Sequence, residues 1–328
     1  MNWTEWRDDY ITRLRDAGTD DPSAELRETI SRVTGKRGAF LLFEKSNRVE
    51  DLFSPDELAR IEDTVTRRCG REPLDYIFGE TFFYRDSFSV GPGVLVPRAD
   101  SELLVGAALR ALGVDTNFLF GRLEDTPVLP STDRCGPVRI FDLCTGCGCI
   151  GISIGNVLSN YLVSYQIALT ERQSEAAAYA KKNIESAREP DLIRLFQCDI
   201  FPGKKEIEEW WRSDSADLIV ANPPYISERE IDGLMPEVSK FEPREALSGG
   251  HDGLSLYRAI LERVGTFLRP GGIIIFEHGY NQKETIAGLL AEHEFADTVC
   301  VKDYGDMDRV TAAVYRPTAK RKAKDHGK

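Results

Sequence analysis

Residues 138–151 read VRIFDLCTGCGCIG, an apolar run that breaks into glycines at positions 146, 148 and 151. Such a run is a buried strand, and the glycines fall where a chain must turn tightly from strand into helix. Further apolar runs follow: SYQIALTE (164–171), IRLFQCD (193–199), ADLIVANPP (216–224) and GGIIIFEHG (271–279). Helical patterns alternate with them near 150–158, 174–187, 254–268 and 282–292, and two last strands are expected near 298–301 and 310–315. Strands alternating with helices predict βαβ units, a mostly parallel sheet, and ligands at the carboxyl ends of its strands.

Upstream the periodicity changes. From Trp3 to about Arg71 apolar residues recur at three- and four-residue spacing, as in Leu26, Ile30, Val33 and Leu58, Ile61, Val65, which predicts a helical bundle. Gly35 is expected to close one helix, and Ser54-Pro55-Asp56-Glu57 to open another. Between Thr81 and Val96, FFYRDSFSV and GVLVP flank Gly91-Pro92-Gly93 and predict a hairpin turning at those three residues. A helix starts at Asp100 or Ser101, and residues 113–137, rich in Pro, Asp and Thr, form a surface loop.

The chain has 328 residues, 41% apolar, enough for a sizeable core. No signal peptide or membrane span is expected, since nothing approaches eighteen uninterrupted apolar residues. Seven cysteines, with Cys144, Cys147 and Cys149 too crowded for ordinary bridging, point to reduced thiols and a cytoplasmic protein. A formal charge of -12 disfavours duplex nucleic acid as a partner, because that affinity rests on cations neutralising phosphates. The basic run AKRKAKDHGK at 319–328 reads as a solvated, disordered tail.

The glycine loop offers a backbone that a cofactor can approach, and Glu171, at the end of the next strand, could accept hydrogen bonds from both ribose hydroxyls of an adenosine. The same spacing marks dinucleotide-binding dehydrogenases. Asp142 leans the choice toward S-adenosylmethionine, because a carboxylate four residues before the first glycine suits a cationic methionine end and opposes a pyrophosphate. A zinc site built on Cys144, Cys147 and Cys149 with Cys198 or Cys135 is disfavoured, since C-x-x-C-x-C inside a glycine turn lacks paired knuckle spacing. The four histidines show no metal or triad spacing, so no metal is expected.

The decisive chemistry is Asn222-Pro223-Pro224-Tyr225 at a strand's carboxyl end. An amide or exocyclic amine is a weak nucleophile because its lone pair is delocalised, so a catalyst must grip its two N–H groups and aim the nitrogen. The Asn222 side-chain oxygen and the Pro223 carbonyl can do so, with Tyr225 as a flat wall for a planar group. Carbonyl dipoles already aimed at the nitrogen stabilise the positive charge that develops there. A nucleic-acid adenine or guanine amine methyltransferase could use the same clamp, and a non-catalytic cofactor-binding module would be marked by loss of Asn222 or Tyr225.

Nearly the whole chain resembles the HemK/PrmC family of protein-(glutamine) methyltransferases. The resemblance is carried by PLDYIFGETFFY from Pro73, GVLVPRADSELL from Gly93, NPPYIS from Asn222, FEPREALSGGHDGLSLYRAI from Phe241, LRPGG from Leu268, FEHGYNQ from Phe276 and DMDRV from Asp306. It implies an α/β fold: a Rossmann-like seven-stranded class I methyltransferase sheet with a small helical N-terminal domain. The implied boundaries are 1–78 for the helical domain docking the release factor, 79–96 for a hairpin linker, 97–317 for the methyltransferase domain and 318–328 for the tail. The implied reaction is transfer of a methyl group from S-adenosylmethionine, leaving S-adenosylhomocysteine, to the glutamine of the Gly-Gly-Gln motif of class I peptide chain release factors. The implied enzyme is a monomer, without membrane or direct DNA binding. By the same resemblance Asp142, Cys144, Thr145, Gly146, Cys147, Gly148, Glu171, Asp199, Ile200 and Asn222 would contact cofactor, and Asn222, Pro223, Pro224 and Tyr225 would form the catalytic clamp. Arg98 would join Asn222, Pro223 and Tyr225 on the substrate, with Val96-Pro97-Arg98 roofing the cofactor. The chain departs from the family pattern at Ala99, where proline is frequent, at Cys147, where serine is, and at Glu171, where aspartate is.

Overall fold

The computed structural model describes residues 1–36, 48–114, 123–129, 136–213 and 215–318, so the basic tail and most of the 113–137 loop lie outside the described residues. The chain forms two units: Met1–Glu80 with Leu234–Phe241, and Thr81–Gly233 with Glu242–Lys328.

In the first unit the three long helices each begin where a side chain satisfies free N–H groups. Asn2 with Glu5, and Ser54 with Glu57, form capping boxes on Trp3–Asp16 and Pro55–Cys69, while Asp21 caps Pro22–Thr34, which ends on left-handed Gly35. Their inward faces bury Trp3, Trp6, Leu26, Ile30, Ile61 and Val65 in one apolar cluster. The helix Pro236–Phe241, drawn from much later in the chain, belongs to this unit and is fixed to it by ion pairs of Glu237 with Arg68 and Arg71.

The second unit opens with a two-stranded hairpin, β1 (Glu80–Phe83) and β2 (Asp86–Ser89). Its turn falls at Tyr84-Arg85, with Tyr84 at φ +58°, and not at Gly91-Pro92-Gly93 as the sequence predicts. Pro92 has no N–H to give a ladder, so Gly91-Pro92-Gly93 ends the extended run, and the GVLVP stretch crosses the glycine loop as irregular chain.

The main sheet comprises β3 (Val138–Leu143), β4 (Tyr165–Glu171), β5 (Ile193–Gln197), β6 (Ala216–Ala221), β7 (Leu268–Glu277), β8 (Phe295–Lys302) and β9 (Asp308–Tyr315). Their order is β5-β4-β3-β6-β7-β9-β8; β3 to β7 run parallel, and β9 is antiparallel to both its neighbours. The apolar runs are continuous because both faces are covered. Leu218 and Val220 point into one cluster with the helices Glu102–Ala111 and Cys149–Asn160, whereas Ile219 and Ala221 point into a second with Lys204–Trp211, Ser255–Val264 and Lys283–Glu292. The helix Lys204–Trp211 is absent from the sequence expectation, although Ile207 and Trp211 stand four apart and both are buried. This is the seven-stranded, doubly covered sheet implied by the resemblance. Strand order reverses at β3, which has β4 on one side and β6 on the other, and a crevice opens beyond their carboxyl ends.

Candidate active site

Leu143 is in register with Ala221, so Cys144 and Asn222 leave neighbouring parallel strands side by side, at the same edge of the sheet. Both line one open cavity of about 910 Å³, together with Thr145, Gly146, Cys147, Glu171, Pro97, Arg98, Ser101 and Pro224. The loop needs its glycines. Gly146 and Gly148 sit at φ +57° and +87°, and a Cβ on Gly151 would lie 2.4 Å from Leu169 Cδ2, so only glycine lets helix Cys149–Asn160 close on β4.

Glu171 ends β4 and turns its carboxylate back to the chain. Oε1 accepts from the N–H groups of Arg172 and Gln173, both at 2.8 Å, and Oε2 from Gly146 N–H at 2.9 Å. A carboxylate has about four acceptor positions. One is left, on Oε2, so the expected pair of ribose hydroxyl bonds reduces to one unless the Gly146 bond yields. Burial raises the Glu171 pKa, and the three backbone N–H groups oppose the rise.

Asp142 is not brought to the cavity. It is wholly buried, and its Oδ2 accepts from Thr145 Oγ1 at 2.5 Å and from Gly151 N–H at 2.9 Å. Burial pushes its carboxyl up to about 7 against those two hydrogen bonds. Asp142 thus braces the glycine loop from beneath, joining Thr145 to Gly151. Ile200 likewise packs into the second apolar cluster, and Gly148, Pro223 and Tyr225 are not among the wall residues. Tyr225 leans on that same cluster, and burial pushes its hydroxyl up to about 12. Of the residues singled out in the sequence, Cys144, Thr145, Gly146, Cys147, Glu171, Asp199, Asn222, Pro224 and Arg98 do meet at the cavity.

Arg98 is held by Glu242, whose two carboxylate oxygens lie 2.6 and 2.8 Å from Arg98 Nη2 and whose side chain is 1% exposed. Arg172 stands 3.7 Å from Asp199. Both arginines of the wall are thus paired with carboxylates, and Glu171, Asp199 and Glu245 complete its charged groups among the described residues. With both arginines occupied, the charged side chains of this wall offer mainly acceptors, which suits the ribose, amine and sulfonium groups of S-adenosylmethionine. Among the described residues no three His, Cys, Asp or Glu side chains gather as a metal site.

A family model described as the PrmC N-terminal domain matches residues 5–79. The release factor glutamine methyltransferase of Geobacter sulfurreducens is 32% identical over 308 residues, covering 93% of this chain and 93% of that protein. The chain belongs to the release factor glutamine methyltransferase family. Its relatives of the same name in Clostridium botulinum and Caulobacter vibrioides are 32% and 30% identical and cover 92% and 96% of this chain, with 94% and 96% of their own lengths. Beyond the residues legible in the sequence, this family member sets Ser101 in the wall, 3.1 Å from Asn222 Nδ2, while Glu277, which the resemblance puts at the end of its strand, ends β7 nearby. Ser101 was legible only as a helix start.

Proposed function

We propose that this chain methylates the side-chain amide nitrogen of the glutamine in the Gly-Gly-Gln motif of class I peptide chain release factors, and so supports translation termination. The observation that carries this is the register of Leu143 against Ala221, by which the glycine loop and Asn222 share one cavity. The names of the relatives supply the substrate class.

S-adenosylmethionine, when bound, supplies an electrophilic methyl group on a sulfonium. The loop from Cys144 to Gly148 and the free position on Glu171 would hold it, with Asp199 near its adenine. Asn222 Oδ1 and the Pro223 carbonyl grip the two N–H groups of the glutamine amide and aim its nitrogen at the methyl carbon. The nitrogen so held would take the methyl group as the carbon–sulfur bond electrons return to sulfur, leaving S-adenosylhomocysteine, and would shed one proton. Holding the partners in line is worth on the order of 7–11 kcal/mol, and the fixed carbonyls stabilise the charge gained by nitrogen. The same reading makes the enzyme a cytoplasmic monomer; among the described residues no helix is long and apolar enough to cross a membrane.

The test is incubation with methyl-labelled S-adenosylmethionine and a release factor whose Gly-Gly-Gln glutamine is intact or replaced by alanine. Label is expected on the intact factor alone, and label on the alanine variant overturns the assignment. Asn222→Ala is expected to lose several orders of magnitude in turnover while affinity for S-adenosylhomocysteine, measured by tryptophan quenching, stays near its original value.

A further inference from the structure

The clamp requires Asn222 to present oxygen, and not its amide nitrogen, to the substrate. A carboxamide has two nearly isosteric faces, and nothing in the Asn222-Pro223-Pro224-Tyr225 motif selects between them. The selection comes from behind. Asn222 Nδ2 donates to Ser101 Oγ at 3.1 Å, and the Ser101 and Asn222 side chains stand near enough to the buried Glu277 carboxyl at the end of β7 to favour its charged form. Glu277 is 2% exposed, and its Oε2 is buried with no hydrogen-bond partner. A buried carboxylate repels a carbonyl oxygen turned toward it and attracts an N–H.

We propose that Glu277, together with Ser101, is a positioning residue that holds the Asn222 amide with Nδ2 inward and Oδ1 toward the substrate. The inference rests on the clamp role given to Asn222 above and assigns to Glu277 no contact with substrate. Ionised Glu277 accepts from Nδ2 and forbids the flipped amide. Protonated Glu277 can donate to Oδ1 and permits it, turning two N–H donors toward two N–H donors of the glutamine. Burial pushes the Glu277 carboxyl up to about 7, opposed by the nearby Ser101 and Asn222 side chains and by the charge of Arg309, with Asp100 adding to the rise. Tyr225, Tyr257 and Cys149 also face its charge. Wild-type kcat should therefore fall as pH drops through about 7.

The test compares Glu277→Gln and Ser101→Ala in the wild-type and Asn222→Ala backgrounds, by single-turnover transfer of labelled methyl to a release factor between pH 6 and 9. A neutral glutamine can face Asn222 with either end, so Glu277→Gln should lower kcat roughly ten- to hundredfold, the worth of a charge-assisted hydrogen bond. KM for S-adenosylmethionine should hold, and the acid limb of the pH profile should vanish. Ser101→Ala should lower kcat in the same direction. In the Asn222→Ala background neither change should cost more, because a residue acting through another is silent once that other is gone. Wild-type kcat in Glu277→Gln, an unaltered acid limb, or the same loss with and without Asn222 would each overturn the proposal. Full activity in Asn222→Ala alone would instead remove the clamp on which it rests.

Discussion

At Asp142 the sequence announces an acid beside the glycine loop, and the fold decides what that acid does. Its Oδ2 joins Thr145 to Gly151, and its Oδ1 is buried without a hydrogen-bond partner. Burial lifts its pKa from 3.8 to about 7, so over that interval the folded protein keeps a proton that the unfolded chain has already released. The sign follows: the contribution to stability is full at acid pH below the unfolded value and is lost as pH rises to about 7, by on the order of 4 kcal/mol. Asp142→Asn removes the ionisable group while leaving an oxygen to accept from Gly151. Urea unfolding should then show less loss of stability between about pH 5 and pH 8 than the wild type, and an equal loss would show that another group carries the dependence. Asn222 is legible because an unusual motif stands at a strand end, and the resemblance also puts Glu277 at the end of its strand; what Ser101 and Glu277 do is not legible, since it comes from meeting Asn222 across intervals of 121 and 55 residues. Local sequence carries no trace of such a meeting.

Elements of the second unit were legible in proportion to how locally they are determined. Buried strands and the glycine turn were, because apolar runs and backbone freedom are local properties. The sequence alone puts the hairpin turn too late because Gly91-Pro92-Gly93 is the stronger turn signal in isolation, while the turn at Tyr84-Arg85 leaves Phe83 and Phe88 packed edge to face. The loop after the clamp is another element whose logic is tertiary. Ile226 bridges Ser248 in parallel, and Gln282 Nε2 donates to the Tyr225 carbonyl at 3.0 Å. Gly253, at φ +75°, lies under that carbonyl so closely that a Cβ would stand 2.3 Å from it. Gly253→Ala must displace the backbone of Tyr225, and turnover should fall at least tenfold, the scale expected when a positioning backbone moves. Gly35→Ala is the control: it shares the left-handed backbone, at φ +71°, but a Cβ there meets nothing within 4 Å. It should cost only about 1–2 kcal/mol in thermal unfolding, with kcat unchanged. Equal kinetic effects of the two would remove the steric account.

On the scale of the whole molecule, the first unit is stitched from two distant stretches of chain, and charge does the stitching. Arg68, with a side chain 6% exposed, donates to Glu25 at 2.8 and 2.9 Å and to Glu237 at 2.6 Å, and Arg71 takes the other oxygen of Glu237. Helical periodicity revealed the bundle and its caps. It could not reveal that Leu234–Phe241 belongs there, because that assignment depends on an ion pair across 169 residues. Hydrogen bonds from Arg68 and Arg71 hold the Glu237 pKa below its ordinary value although burial alone would raise it. Arg68→Ala leaves Glu25 and Glu237 facing a cavity without the cation between them, and breaking a buried pair in this way costs roughly 3–5 kcal/mol. Part of that cost is unfavourable contact between two carboxylates, so Arg68→Ala combined with Glu25→Gln should recover some stability, a coupling that independent sites do not show. Hydrogen exchange should localise the damage: amides of Val238 and Ser239, bonded to Met235, lose protection in Arg68→Ala before those of β3 and β6 do. If exchange at 234–241 stays at the wild-type rate while the protein is destabilised, the segment is held by its neighbours in sequence and the ion pairs are incidental to it.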